Sequence, residues 1–200
     1  MARLKVRDAL VALALATGAA APARATTVLF SGSEHNTNPP AQPGGRCAPT
    51  LTVSIGPANA SGLSNLGAFT PTQSHCLNAP PPVAYYDGRF DFAFGAADHL
   101  FGTYSGLLTA SGTPGLFNNA QAFVATGGTG RFADAIGRFD GTGTVQFRPG
   151  GLAEGQLDFA GVVEAPGVPE PATWLTLVLG LAVTGLALRR KGHRLAGVSL

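Results

Sequence analysis

The side chains that could carry out chemistry are few and widely spaced. Three histidines, His35, His75 and His99, show no metal-ligand spacing with Cys47 or Cys76. A set of aspartates could include a carboxylate pair for sugar hydrolysis or ligands for Ca²⁺, but their spacing lacks the calcium-loop pattern. They are Asp87, Asp91, Asp98, Asp134 and Asp140. Solvated strand faces and turns account for them more simply, so we predict no catalytic residues, no metal site and no cofactor.

A glycine-rich stretch matches the sequence of a nucleotide-binding motif but lacks the structural context that the motif requires. Gly128-Thr129-Gly130-Arg131-Phe132-Ala133 matches G-x-G-x-x-A. That motif needs a long helix whose N-terminus faces a pyrophosphate, whereas Gly137 and a strand-like alternation follow here. We therefore do not expect nucleotide binding.

Polar and aromatic side chains in the second half of the chain could line the mouth of a ligand cavity. Such side chains combine flat apolar surface with a hydrogen-bonding or charged end. The prediction rests on residue type, and the set is Tyr85, Tyr86, Arg89, Asp91, Tyr104 and Arg131.

The chain has two cysteines, Cys47 and Cys76. Outside the cytoplasm two cysteines usually pair, and a bond closing a loop of about 30 residues would stabilise the fold by roughly 3–4 kcal/mol. The alternative is a catalytic thiol at Cys76 beside His75, but neighbours along an extended chain point to opposite faces. We favour the disulfide.

The C-terminal segment has the pattern of a membrane anchor. Residues 172–188 carry no charge, and a membrane-spanning helix needs about 17–25 residues. Arg189, Arg190 and Lys191 follow at once, and positive charge stays on the cytoplasmic side. We predict a transmembrane helix over 172–188, a cytoplasmic tail over 192–200 and an external body. A buried helix of a soluble domain would not explain basic residues at one end only.

The residues before this segment carry a specific resemblance. Val168-Pro169-Glu170-Pro171, followed by the apolar segment and the basic stop, resembles a PEP-CTERM sorting signal over residues 168–191. Such signals occur in exported bacterial proteins and imply recognition by an exosortase, a membrane protease or transpeptidase that cleaves near the Pro-Glu-Pro motif. The alternative is a plain anchor behind a proline-stiffened linker.

The N-terminus is typical of a secretory signal peptide. Basic residues precede the apolar run 9–21, and Ala23-Arg24-Ala25 places small residues where a signal peptidase reads them. We predict a signal peptide over residues 1–25, which leaves 26–171 as the exported body. That body contains five arginines, ten acidic residues and no lysine, a net charge of −5, although the whole chain is +2. Without a basic face, nucleic acid is not an expected partner.

Residues 83–167 are predicted to form an antiparallel sheet. Phe90, Phe92 and Phe94 alternate, so that one strand face is aromatic. Gly-rich turns separate further strands, and no helical period of useful length occurs, which favours an all-β barrel or sandwich. The further strands are expected over 99–110, 117–126, 139–147 and 157–163. Residues 26–82 are rich in Pro, Asn, Ser and Gly and are expected to form a loop-rich, disulfide-stapled flank with one strand over 51–55.

The glycine-rich residues also resemble a known hairpin. The stretch 126–137, followed by Gly141-Thr142-Gly143-Thr144, resembles the hairpin of allene-oxide-cyclase-like and dirigent-like β-barrels. The resemblance covers residues 85–165 and implies a barrel. No catalytic residue of that family's enzymes matches a position here, so the activity stays open.

Three functions remain open, of which the weakest is a carbohydrate-binding module; it would need aromatic side chains exposed on one face, and Tyr85, Tyr86 and Tyr104 are the ones available in the body. The first is a non-enzymatic exported protein of a Gram-negative bacterium, held in the inner membrane until processing and then located at the cell surface or in extracellular polysaccharide, as the sorting resemblance implies. Its expected partners are signal peptidase, exosortase, the membrane and polysaccharide. The second is a small-molecule-binding barrel with isomerase or cyclase activity, which requires a cavity with converging polar groups. An interior packed solid would argue against it, the packing residues being Phe90, Phe92, Phe94, Phe139, Val145 and Phe147.

Overall fold

The computed structural model describes residues 26–165 and the single residue 181. The described chain is all-β, with short 3₁₀ turns at Gly45–Cys47, Pro57–Asn59 and Gly130–Phe132. The strands are β1 (Thr26–Asn38), β2 (Gln42–Pro43), β3 (Leu51–Ile55), β4 (Ala60–Ser64), β5 (Gly67–Leu77), β6 (Val83–Ala93), β7 (His99–Ala110), β8 (Leu116–Thr129), β9 (Ile136–Phe147) and β10 (Ala153–Ala165).

The signal peptide, the Pro-Glu-Pro motif, the membrane helix and the tail predicted above lie outside the described residues, apart from residue 181. Among the residues that are described, no helix is long and apolar enough to cross a membrane.

The strands form a ten-stranded antiparallel sheet that closes on itself. From β1 the order runs through β10, β9, β8, β7 and β6 to β5, and β5 pairs with β4, which returns to β1. The remaining strands extend the sheet beyond β4, because β3 pairs with the second half of β5 and β2 pairs with β3. The closed ring leaves few unpaired strand edges and encloses an interior.

The pairing of β1 with β10 defines the two ends of this ring. Thr26 lies opposite Ala165, and Asn38 lies opposite Ala153. Each strand has 13 residues and at about 3.4 Å per residue is roughly 40 Å long.

Aromatic side chains fill the ring toward the Thr26–Ala165 end. The predicted alternation in β6 is confirmed, since Phe90 and Phe92 are 3% and 0% exposed. Phe123 and Phe139 stack with their ring centroids 4.8 Å apart and their planes 8° apart. This part of the interior is a packed core, as the sequence led us to expect.

Phe132 and Arg131 close that same end. The Phe132 side chain is fully buried. The Arg131 guanidinium carbon lies 5.1 Å from the Phe94 ring centroid and 4.8 Å from that of Phe132, and its Nη2 donates to the Leu66 carbonyl over 2.7 Å. The core is therefore sealed from solvent at the Thr26–Ala165 end.

The expectation of a loop-rich flank over 26–82 is wrong, because β1 to β5 occupy most of that stretch. The composition misled because these strands place polar residues, glycine and a buried proline, Pro71, at inward positions. The strand predicted over 51–55 is confirmed as β3, and that predicted over 99–110 is confirmed as β7.

Cys47 and Cys76 form the predicted disulfide, so the alternative of a catalytic thiol is wrong. The bond joins the turn Gly45–Cys47 to β5. Beside it, Arg46 pairs with Asp87 on β6. The turn is thus fixed against two neighbouring strands of the ring.

Candidate functional site

A partly enclosed cavity of about 230 Å³ lies at the Asn38–Ala153 end of the ring. Its walls are mainly aliphatic and aromatic side chains and proline rings. Those wall residues are Pro39, Pro40, Ala41, Leu51, Val53, Ile55, Leu77, Pro80, Pro81, Leu108, Val145, Phe147 and Ala153. Mostly apolar walls with a few polar groups are typical of small-molecule sites.

The polar groups of the cavity come first from β1. Successive strand residues point to opposite faces, so the even-numbered positions of β1 face inward. Val28 and Phe30 meet the aromatic core, whereas Glu34, Asn36 and Asn38 are 2%, 5% and 9% exposed. The inward face of one strand therefore changes from apolar to polar as it approaches the cavity, which Asn36 and Asn38 line.

Glu34 orients two amide side chains. Asn36 Nδ2 donates to Glu34 Oε1 over 2.7 Å, and Gln73 Nε2 donates to Glu34 Oε2 over 2.8 Å. Burial of the carboxyl raises its pKa from 4.5 to about 7, against the two hydrogen bonds, which lower it. Both carboxyl oxygens are thus engaged by amides, and near pH 7 the group is present in both its ionised and its protonated form.

A second polar group lies across the cavity, on β5, β6, β7 and β8. His75 Nδ1 lies 2.8 Å from the Tyr104 hydroxyl, and Tyr85 donates to Asn119 Oδ1 over 2.7 Å. Burial, with Arg46 nearby, lowers the pKa of His75 to about 3, so its ring is neutral. Burial also raises the pKa of Tyr85 and of Tyr104, so both phenols stay protonated. The network carries hydrogen bonds rather than charge.

Three buried amide oxygens beside the cavity have no hydrogen-bond partner. They are Asn36 Oδ1, Asn38 Oδ1 and Gln121 Oε1. All three residues line the cavity. An unpaired buried acceptor costs about 1–3 kcal/mol, so three together at one cavity point to a partner that the protein itself does not supply.

Glycines make room for the polar side chains. A Cβ atom on Gly155 of β10 would lie 2.6 Å from Asn36 Oδ1. A Cβ atom on Gly106 of β7 would lie 2.1 Å from the Tyr85 ring. Both distances are too short for real contacts, so glycine at each position lets the neighbouring side chain keep its place.

The structure brings together only part of the predicted mouth set. Tyr85 lines the cavity. Tyr104 is buried, and its hydroxyl lies 2.8 Å from Nδ1 of His75, which also lines the cavity. Tyr86 and Arg89 face outward.

The other two members of that set lie elsewhere. Asp91 Oδ1 lies 2.8 Å from His99 Nδ1, within hydrogen-bond distance, on the outer side of β6 and β7. Arg131 covers the closed end of the ring, 3.4 Å from Asp98 through its Nε. Across residues 26–165, no group of three His, Cys, Asp or Glu side chains could hold a metal ion.

Sequence reasoning missed Glu34, Asn36, Asn38, Gln73 and Gln121. No periodic signal marked the first three, because residues 33–38 read Ser-Glu-His-Asn-Thr-Asn and are therefore polar on both faces of the strand.

Comparison with known proteins bears on sorting and leaves the cavity unassigned. Residues 167–191 match the family model of the PEP-CTERM protein-sorting motif. The motif marks an exported protein that is processed at the membrane, with an exosortase as the processing partner. No curated protein matches the chain.

Among solved structures, that of a pterocarpan synthase dirigent protein is similar to this chain. The TM-score is 0.39 and the sequence identity 9%, over 74% of this chain and 94% of the other. The weak resemblance to dirigent proteins is thereby shown, and no activity follows from it.

Proposed function

We propose that this chain is an exported, exosortase-processed protein whose ring of strands binds a small, largely apolar molecule in the cavity at its Asn38–Ala153 end. The observation that carries the proposal is the set of three unpaired amide oxygens around an otherwise apolar cavity. Aromatic rings fill the interior toward the Thr26–Ala165 end. A completely filled interior would argue against a ligand, but the filled part stops short of the cavity.

The dimensions of the cavity support a small ligand. Natural ligand pockets are commonly about 300–1,000 Å³, and an apolar cavity of about 150 Å³ holds a benzene molecule. A cavity of about 230 Å³ has room for a single ring with substituents or for a compound of similar bulk.

The targeting part of the proposal rests on the sorting motif. A signal peptidase would remove residues 1–25, the segment 172–188 would hold the chain in the inner membrane, and an exosortase would act near the Pro-Glu-Pro motif. The processed protein would then reside at the cell surface or in extracellular polysaccharide. The match over residues 167–191 supports export and processing, and the later steps are our inference from it.

Isomerase or cyclase activity stays a prediction. A general acid or base must come within hydrogen-bond reach of the reacting atom. Glu34, the carboxyl group of the network, is not among the cavity-lining residues and has both oxygens engaged by amides. Our proposal is therefore binding.

The test is a binding screen on the purified full chain with neutral compounds of one ring, followed by calorimetry. Leu51→Trp places a large ring at the cavity rim and should weaken binding of any hit at least tenfold. Leu63→Trp is the matched control, because Leu63 is 65% exposed on the outer face of β4, and it should leave binding unchanged.

Two results would overturn the proposal. One is a screen without a hit for a chain that unfolds cooperatively. The other is a hit whose affinity is the same in both variants, because such a compound would bind outside the cavity.

A further inference from the structure

We infer that the ligand is an uncharged alcohol, whose hydroxyl donates to the unpaired amide oxygens of Asn36, Asn38 or Gln121 while its carbon skeleton fills the apolar walls. This inference rests on the proposed function and specifies its ligand. It follows from two observations: the unpaired atoms are hydrogen-bond acceptors, and the cavity-lining residues carry no charge.

The orientation of Asn36 fixes its open role as an acceptor. Its Nδ2 is committed to Glu34 Oε1 at 2.7 Å. Rotating the amide by half a turn would place Oδ1 against Oε1, two acceptors facing each other whenever Glu34 is ionised. While Glu34 is ionised, Oδ1 therefore stays on the other side of the amide, buried and without a partner. A second acceptor on the ligand would leave this oxygen unsatisfied, whereas a donor completes it.

Asn38 and Gln121 offer the same role. Asn38 Oδ1 and Gln121 Oε1 are buried and unpaired beside the same cavity. They come from β1 and β8, so the three acceptors approach the cavity from different strands.

The charge of the site argues against acids and amines. The cavity-lining residues include no Arg, Lys, Asp or Glu, and a buried charge without a partner is strongly disfavoured. His75, which also lines the cavity, is neutral near pH 7. A carboxylate would meet acceptors instead of donors, and an ammonium group would find no counter-ion among the cavity-lining residues.

The experiment compares four compounds on one carbon skeleton by calorimetry with the full chain. Cyclohexylmethanol donates, its methyl ether only accepts, cyclohexanecarboxylate is an anion and cyclohexylmethylammonium is a cation. We expect the alcohol to bind about tenfold tighter than the ether, since an unmade hydrogen bond to a buried group costs that much or more. The two ions should bind more weakly than the ether.

Asn38→Leu and Gln121→Leu test the acceptors without breaking any side-chain hydrogen bond of the oxygens concerned. Each should reduce the preference for alcohol over ether several-fold while retaining the ether's own affinity. Asn38→Leu should not lower the unfolding midpoint, because the Asn38 Oδ1 that it removes is buried without a partner. Gln121→Leu should lower the midpoint, because it also removes an amide that hydrogen-bonds Tyr85. Asn118→Leu, on the outer face of β8, is the matched control and should keep the full preference.

The outcomes separate this inference from the proposed function. If the alcohol and the ether bind equally, the cavity binds ligands but its acceptors do not select a donor, and the inference is wrong while the proposed function stands. The same holds if an ion binds best. If neither neutral compound binds and the screen above gives no hit, the proposed function fails and takes this inference with it.

Discussion

Gln73 Nε2 lies 2.8 Å from Glu34 Oε2 and joins β5 to β1 through the interior of the ring. Asn36 donates to the other carboxyl oxygen. Both oxygens of Glu34 therefore accept from neutral amides, and the residue is only 2% exposed. Nearby, His75 is buried and neutral. An acid that resists ionisation and a base that resists protonation therefore share one end of the ring, and their effects on stability have opposite signs.

The opposing shifts predict how stability depends on pH. The pKa of Glu34 is raised from 4.5 to about 7 by burial, so its contribution is complete below pH 4.5 and is lost as the pH rises to about 7. The pKa of His75 is lowered from 6.5 to about 3 by burial and by Arg46, so its contribution is complete above pH 6.5 and is lost as the pH falls toward 3. Between pH 4.5 and 6.5 the two slopes oppose each other.

Glu34→Gln should uncover the histidine slope. The free energy of unfolding should then rise across pH 4.5–6.5 by up to about 1.4 kcal/mol per pH unit, as measured by urea unfolding at several pH values. Glu164→Gln, an exposed substitution on β10, serves as the control and should keep the wild-type profile. A Glu34→Gln profile identical to wild type would contradict the burial of the carboxyl described here.

Gly155→Ala should impair the cavity. The new methyl group would lie 2.6 Å from Asn36 Oδ1, so Asn36 must move or its bond to Glu34 must lengthen. We expect a loss of about 1–3 kcal/mol in stability, typical of overpacking, and at least a tenfold loss of ligand affinity by calorimetry. Gly56→Ala is the control, since nothing lies within 4 Å of its added Cβ. Unchanged affinity in Gly155→Ala would place the ligand elsewhere.

Removing the disulfide should destabilise the whole ring. Cys47 and Cys76 are separated by 29 positions, and opening a loop of that size costs about 3–4 kcal/mol on the chain-entropy model. The double variant Cys47→Ala/Cys76→Ala should show that loss in denaturant unfolding, and adding a reductant should not change it further. A double variant as stable as the oxidised wild type would show that hydrogen bonds alone fix the turn Gly45–Cys47.

The sorting motif predicts the mass of the mature protein. Protein recovered from its native host should begin at Thr26 and end near Pro171. Glu170→Ala should leave a species that still carries residues 172–200, whereas Glu164→Ala should be processed normally. Intact-mass spectrometry of all three decides the matter, because wild-type protein that keeps residues 172–200 would show an ordinary anchor instead of a processed one.

The sequence predicts the aromatic part of the fold well. Phe90, Phe92 and Phe139 fall at alternate strand positions and are buried, because period-2 burial of apolar residues is what a half-buried strand requires. The disulfide was also predictable, since an exported chain with two cysteines usually pairs them. Residue type alone was a weaker guide to the site: it selected Tyr85, which lines the cavity, and also Arg131, which covers the closed end.

The polar end of the ring could not be predicted by the same rule. β1 turns Glu34, Asn36 and Asn38 inward, and periodicity shows which residues share a face without showing which face is inside. Closure of the sheet decides that, through the pairing of β1 with both β4 and β10. The bulges in β6 and β7 add further register shifts, which no local pattern specifies.

The register of Thr26 with Ala165 bears on how the cavity and the proposed C-terminal anchor are arranged. Ala165, the last residue described before the sorting motif, lies at the end of the ring opposite to the cavity. Under the processing that we propose, an anchor on the C-terminal side of Ala165 would leave the cavity at the opposite end of the ring from Ala165. Cleavage of that anchor would then change where the protein can diffuse and leave the lining of the cavity unchanged, so ligand binding and release from the membrane would be independent of each other.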